Sequence, residues 1–255
     1  MTRALITNDD GIDSPGLHAL AAAAVAAGLE VVVAAPSWDS SGASASLTGV
    51  REDGRLLTER RQLPDIEARA FAVDAAPAMI TLVALRGAFG APPELVLSGI
   101  NRGRNTGRAV LHSGTVGAAF TAVNHGAGGL AVSLDSADPV HWTTAAAVLA
   151  PVLAWMIEHR PTAALNLNVP DVPLPELVGL QRGHLAQVGA VQTNVTDASE
   201  GFVQITVEAV QKDPDPGSDA ALLADGWAVL TPLHPTTEAT DVDVSILAYG
   251  LARTP

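Results

Sequence analysis

The spacing of apolar and polar positions divides the chain into two stretches of different character. Up to about residue 135, short aliphatic runs alternate with helical segments, the pattern of strand–helix–strand units around a mainly parallel sheet. Residues 4–7, Ala-Leu-Ile-Thr, predict a first strand. Ser14 and Pro15 open a helix whose apolar run, 17–27, is closed by Gly28, so the cap, the first-turn proline and the terminal glycine agree. A strand is then expected over 30–35, a capped helix over 74–90, a buried strand over 94–97, a helix over 113–126 and a strand over 130–134. Residues 36–48 read as a Ser- and Gly-rich loop, and 50–73 as a hairpin or irregular excursion. Residues 139–159 predict a long helix interrupted or kinked near Pro151. Beyond residue 160 the character changes: 165–169 and 202–210 alternate like strands, and 213–217 is a loop. This half is expected to be more β-rich, with an arm or hairpin attached to the core.

Composition narrows the class. With 255 residues, 48% of them hydrophobic and 16% charged, the chain has the makings of one sizeable folded α/β domain. Only 4% of residues are aromatic, so the interior must be built from small aliphatic side chains. A formal net charge of −13 argues against a protein that wraps duplex nucleic acid, which needs a broad basic surface, but leaves room for a small anionic ligand where positive charge is local. Cysteine is absent, which excludes disulfides, thiolate metal sites and cysteine nucleophiles. The start of the chain reads as a strand and not as a secretory signal, and the Ala-rich runs within 19–29 and 145–157 are too short to span a bilayer. The expectation is a cytoplasmic protein that engages no membrane.

Four segments carry candidate chemistry. Thr7-Asn8-Asp9-Asp10-Gly11 places two carboxylates directly after a buried strand, on the rim where open α/β sheets bind ligands. Adjacent carboxylates repel, and a hard divalent cation such as Mg²⁺ or Mn²⁺ would relieve that; an Asx turn explains the tetrad equally well. The run from Ser98 through Asn101, Arg102, Arg104 and Asn105 to Gly107 has glycine at every fourth position and two asparagines, yet matches neither a Walker motif nor a dinucleotide fingerprint. His112-Ser113-Gly114-Thr115 opens a helix, where free amides, hydroxyls and the helix dipole suit a phosphate dianion, although capping alone explains Ser113. Arg102, Arg104 and Arg108 add local positive charge nearby. The serine loop, which includes Trp38, Asp39, Ser40, Ser41 and Ala45, falls on the same rim after the second strand.

Taken in this order the segments resemble the SurE family of survival proteins, through Ile6-Thr7-Asn8-Asp9-Asp10-Gly11-Ile12, Val33-Ala34-Ala35-Pro36, Ser98-Gly99-Ile100-Asn101, Gly103, Asn105, Gly107 and the run from His112 to Ala119. The resemblance extends more thinly to 165–170 and 226–233. It implies a metal-dependent 5′/3′-nucleotidase acting on small phosphate esters and, in some members, short polyphosphate. It further implies a Rossmann-like three-layer α/β core over residues 1–160, with 161–255 supplying the remaining core strands and an extended β arm through which a homodimer or homotetramer forms. One divalent ion per subunit, Mg²⁺ or Mn²⁺, would be held by Asp9, Asp10, Ser41 and Asn101. Asn8, Asn105, Ser113, Gly114, Thr115 and Arg104 would line the substrate site.

Two departures bear on substrate. The family usually carries a basic residue just before the metal-ligating serine and a polar residue a little further on, where this chain has Ser40 and Ala45; Arg104 and Arg108 fall where small or neutral residues are common. The expected reaction is in-line attack on a phosphate monoester by metal-activated water, oriented by Asp9 or Asp10, with His112 as candidate proton donor to the leaving alkoxide. Alternatives are a specialised phosphatase for a non-nucleotide metabolite, an enzyme forming an aspartyl-phosphate, and a nucleotide- or sugar-phosphate-binding protein without turnover.

Overall fold

The computed structural model describes residues 1–49, 51, 53–187, 191–199, 202–209, 215–238 and 240–241; within 191–199 and 202–209 the side chains described are those of Val203 and Gln204. The chain runs β1 (Arg3–Thr7), α1 (Pro15–Ala26), β2 (Glu30–Pro36), β3 (Thr58–Leu63), β4 (Ile66–Val73), α2 (Pro77–Ala84), β5 (Leu95–Arg102), α3 (Gly114–Asn124), β6 (Gly128–Asp135) and α4 (Trp142–His159). It continues through β7 (Ala164–Pro170), β8 (Gly179–Arg182), β9 (Val191–Ser199), β10 (Phe202–Ala209), α5 (Asp219–Ala224) and β11 (Trp227–Leu233). A 3₁₀ helix, Gly107–His112, leads into α3.

Nine strands form one sheet in the order β3-β4-β2-β1-β5-β6-β7-β11-β8. The six from β4 to β7 are mutually parallel. β3 closes one edge antiparallel to β4, and β11 pairs antiparallel with β7 before β8 joins it in parallel. Apolar runs with no polar alternation mark strands covered on both faces. In β1, Ala4 and Ile6 join the core shared with Leu17 and Leu20 of α1 and Leu149 and Leu153 of α4. Leu5 faces the opposite layer with Met79 and Ile80 of α2 and Ala122 of α3. The result is a three-layer α/β fold with a mainly parallel sheet. From β1 the chain proceeds to β2 on one side and later to β5 on the other. The crevice between the loops after β1 and β5 is therefore the switch point at which such sheets bind ligands.

Several expected boundaries shift for identifiable reasons. The excursion over 50–73, of which residues 50 and 52 lie outside the described residues, contains the antiparallel hairpin β3–β4, and β4 extends the main sheet. The helix expected over 74–90 is only α2, which begins after Ala76 with Pro77 at its first position and no side-chain cap. β5 does not stop at Leu97; it runs through the glycine-rich segment to Arg102, with an irregularity between Ser98 and Asn101. Ile100 is fully buried, and a Cβ at Gly99 would come within 2.3 Å of the Val132 carbonyl oxygen, so a segment that reads as a loop is strand pressed against β6. α4 carries Pro151 within it, on its exposed side. β9 and β10 pair only with each other, in a separate two-stranded sheet. Position 210 of the strand expected there, and 213 and 214 of the expected loop, lie outside the described residues. No helix among the described residues is long and apolar enough to cross a membrane.

Candidate functional site

β1 delivers its last residues to the crevice and turns sharply. The Asn8 side chain closes the turn, accepting from the Gly11 amide at 3.2 Å and donating to the Gly11 carbonyl at 3.0 Å. Gly11 has φ +100°, a conformation that glycine adopts without strain. Asn8, fully buried, is thus committed to the turn, and its amide is not presented to a substrate.

The turn leaves two carboxylates in different surroundings. Asp9 is 3% exposed, and α3 holds it: the Thr115 amide donates to Oδ2 at 3.0 Å and the Thr115 hydroxyl donates to Oδ1. The contact admits no side chain at Gly114, whose Cβ would meet Asp9 Oδ2 at 2.8 Å. The Asp10 side chain is 4% exposed; it accepts from Arg102 Nε at 3.1 Å and from the Arg102 amide at 3.3 Å. Burial pushes both carboxyls above the usual carboxylate range. For Asp9 the Asp10 charge adds to this, and the Thr115 hydrogen bonds oppose it; for Asp10 the opposition comes from Arg102.

Arg102 also reaches Asp39, Nη2 to Oδ2 at 3.3 Å, and Asp39 in turn accepts from the Ser41 amide at 3.0 Å and the Ser41 hydroxyl at 2.6 Å. Those bonds and the Arg102 charge hold the Asp39 carboxyl below its usual range. Ser40 donates to the Asp9 carbonyl from its amide at 2.7 Å and its hydroxyl at 3.2 Å, which draws the serine loop onto the β1 turn. Asn101 donates its side-chain amide to the Gly103 and Arg102 carbonyls, and its Oδ1 has no partner among the described residues. The oxygen donors Asp9, Asp10, Ser41 and Asn101 therefore belong to three rim segments cross-tied by Arg102 and Ser40. Among the described residues no group of three or more His, Cys, Asp or Glu side chains is placed to hold a metal ion. Two carboxylates with one hydroxyl and one amide oxygen form a sparse hard set, of the kind that suits Mg²⁺ or Mn²⁺ retaining waters. Of the two buried carboxylates only Asp10 has a cationic partner, so the pair is short of positive charge and the residues fit a divalent cation.

At the α3 start, Ser113 caps the helix by accepting from the Val116 amide at 3.1 Å. Its hydroxyl hydrogen and the Gly114 amide have no partner among the described residues, whereas the Thr115 donors are already committed to Asp9. The Asn105 side-chain amide donates to Ser133 at 2.9 Å and its backbone carbonyl accepts from Asn166 and Asn168, while its Oδ1 has no partner among the described residues. Arg104 is paired with Asp135 at 3.3 Å. Of the arginines on this segment it is Arg102, not Arg104, that touches a candidate metal ligand. Arg102 is visible in the sequence as one of three clustered arginines, and nothing there distinguishes it; Asp39 in a serine-rich loop carries no signal of its own. His112 ends the 3₁₀ helix, exposed, next to Ser113.

A doubly wound α/β protein with paired carboxylates and neutral oxygen donors at its switch point, beside a capped helix start, is the class that this fold and site define. The chain belongs to the SurE family: the family model described as survival protein SurE matches residues 4–192. It is 33% identical to the 5′-nucleotidase SurE of Synechococcus sp. (strain JA-3-3Ab), over 97% of each chain. It is 36% identical to that of Pseudomonas entomophila (strain L48), over 91% of this chain and 92% of the relative. Among solved structures, the SurE protein from Aquifex aeolicus superposes with a TM-score of 0.80 at 28% identity, covering 96% of this chain and 98% of that one.

Proposed function

We propose that this chain is a divalent-metal-dependent phosphate monoester hydrolase of the 5′-nucleotidase type, working by direct attack of water. The observation that carries the proposal is the buried Asp9 carboxylate, which has no cationic partner among the described residues and lies against a helix start where the Ser113 hydroxyl and Gly114 amide are unspent. Relatives named 5′-nucleotidase SurE support a phosphate ester as substrate.

Asp9, Asp10, Ser41 and Asn101 would hold the cation, which when bound polarises a phosphoryl oxygen and acidifies a coordinated water. The Ser113 hydroxyl and the Gly114 amide donate to phosphoryl oxygens, helped by the α3 dipole. Arg102, 45% exposed at the same rim, offsets charge that builds on those oxygens while keeping Asp10 in place. Asp9 or Asp10 accepts a hydrogen bond from the attacking water and orients it; His112 supplies the proton that the leaving alkoxide takes up. A covalent aspartyl-phosphate is the less favoured route, because enzymes of that kind carry a second Asp two residues after the first, and here Asp9 and Asp10 are adjacent. The β9–β10 hairpin, separate from the main sheet, is the segment through which a homodimer or homotetramer would form.

The test is phosphate release from a panel of nucleoside monophosphates, sugar phosphates and polyphosphate with Mg²⁺ or Mn²⁺, alongside calorimetric titration of each metal. Metal-dependent release that is lost in Asp9→Asn is expected. Metal and nucleotide binding with no release from any ester would replace hydrolysis by simple binding.

A further inference from the structure

β7 is covered on both faces, and the faces differ in chemistry. Leu165, Leu167 and Val169 point into the main core, whereas the alternate positions hold Ala164, Asn166 and Asn168. Asn166 is 1% exposed and Asn168 is fully buried; beside Asn168 in register lies Ser133 of β6, also fully buried. Alanine or valine would fill this face without taking amides out of water, a transfer that costs free energy unless each amide is bonded. Packing alone does not account for two asparagines here.

The side-chain bonds of all three converge on Asn105. Asn168 Oδ1 accepts from the Asn105 backbone amide at 2.8 Å, and its Nδ2 donates to the Asn105 carbonyl at 2.9 Å. Asn166 Nδ2 donates to the same carbonyl at 2.8 Å, and the Ser133 hydroxyl accepts from the Asn105 side-chain amide at 2.9 Å. One side chain, Asn168, thus does for Asn105 what a neighbouring strand does in a sheet, taking both its amide and its carbonyl. Gly103 and Gly107 flank Asn105 at φ +93° and +56°, and glycine by itself puts few limits on a backbone's path. The segment is tied at alternate residues instead: the Gly103 amide to the Leu134 carbonyl at 2.9 Å, Asn105 to β6 and β7, and the Gly107 amide to Asp219 at 2.9 Å. It begins with Asn101 and Arg102, and the amide and guanidinium of Arg102 hold Asp10.

We propose that Asn168, supported by Asn166 and Ser133, is a positioning residue: it templates the backbone at Asn105, fixes the path of residues 101–107, and so places the Asn101 oxygen and Arg102 at the rim. The effect on turnover rests on the phosphomonoesterase reading; the effect on the segment does not. Displacing a positioned group by about 1 Å can cost about 100-fold in rate, so loss of the template should show mainly in kcat.

The experiment replaces Asn168 by leucine, which is of similar size and has no polar side-chain atoms, and by aspartate. Leu167→Ala, which empties the other face of the same strand, is the control. Hydrogen exchange over 101–107, Mn²⁺ calorimetry, kcat and KM for p-nitrophenyl phosphate and a thermal melt are read on each full-length chain. Asn168→Leu should speed exchange over 101–107 and lower kcat by about 10-fold or more, with weaker Mn²⁺ binding and a smaller change in KM. Leu167→Ala should lower the melt at least as far, yet leave that exchange, Mn²⁺ affinity and kcat within about twofold. Asn168→Asp keeps the acceptor for the Asn105 amide but turns a second oxygen on its carbonyl. A neutral carboxyl regains the donor, so the kcat deficit of this variant against the unaltered chain should shrink from about pH 8 to about pH 6. Unchanged exchange over 101–107 in Asn168→Leu overturns the proposal, as does a kcat loss no greater than that of Leu167→Ala. If leucine prevents folding, the aspartate variant decides, and a deficit independent of pH overturns the proposal. If the unaltered chain hydrolyses no ester, the phosphatase reading falls, and exchange and Mn²⁺ affinity still decide for or against the template.

Discussion

Gly114→Ala adds one methyl group where α3 meets Asp9, and its consequence can be worked from the geometry. The new carbon would lie 2.8 Å from Asp9 Oδ2 and 2.9 Å from Asp9 Cβ, against ordinary contact from 3.4 Å outward, so the carboxylate or the helix start must yield by roughly 0.5 Å. Gly114 is not among the positive-φ glycines, and alanine is a better helix former by up to about 1 kcal/mol, which offsets part of the clash. Fold stability should therefore change by no more than about 1–2 kcal/mol, a shift of a few degrees in melting temperature for a chain of this size. Catalytic geometry is less forgiving, since displacing a positioned group by about 1 Å can cost about 100-fold. A loss of roughly 10-fold or more in kcat/KM and a weaker Mn²⁺ affinity are expected. The assay pairs Mn²⁺ calorimetry with turnover of p-nitrophenyl phosphate and a thermal melt. If the variant keeps both metal affinity and turnover within twofold, Asp9 is not the ligand that the α3 contact positions; a melt lowered by more than ten degrees would mean that the contact holds the fold and not the site.

Other changes probe neighbouring parts of the argument. Arg102→Ala leaves the buried Asp10 carboxylate without its cation; because the arginine is 45% exposed, the cost is about 1–2 kcal/mol in metal-free protein, partly restored by Mg²⁺, and an unchanged metal-free melt counts against the pairing. Asp219 is fully buried and accepts from the Gly107, Ala186 and Ala220 amides, and burial raises its carboxyl pKa above the ordinary 3.8. A raised carboxyl stabilises fully below the unfolded value, and that contribution is lost as pH rises through the folded value, so Asp219→Asn should flatten stability across that acid window; parallel pH curves for the two chains would contradict this. Gly99→Ala would force a Cβ to 2.3 Å from the Val132 carbonyl oxygen at φ +133°, and should abolish soluble folded protein or lower the melt by more than ten degrees; a normal melt would show that β5 and β6 are not in such close approach.

The central strands were legible because strands covered on both faces need uninterrupted apolar side chains, as in Ala4-Leu5-Ile6 and 31–35. The Ser113 cap was legible for the same local reason, one hydroxyl satisfying one orphan amide. What failed to show was decided by partners distant in the chain. Ser98 to Arg102 reads as a loop because glycine carries no strand propensity, and only the neighbouring β6 backbone makes it a strand. Asn8 looks like a ligand contact since a free amide suits either use, and the bonds that commit it internally, to the Gly11 amide and carbonyl, follow from the fold. The Arg102–Asp10 pair spans 92 positions, a separation that no local pattern encodes.

That pair also gives the rim its positive charge without a basic residue at position 40. Ser40 spends both its amide and its hydroxyl on the Asp9 carbonyl, so it secures the serine loop through neutral hydrogen bonds. The positive charge enters from the other side of the crevice, on the last residue of β5, and reaches Asp10 and Asp39 together. In the ionised state, Asp9, Asp10 and Asp39 set three negative charges against one guanidinium, which leaves two, the charge of a single divalent ion. With its one cation on β5, the rim leaves Asp9, the carboxylate bonded only to Thr115 and hence the one most short of charge, as the place for the divalent ion proposed above.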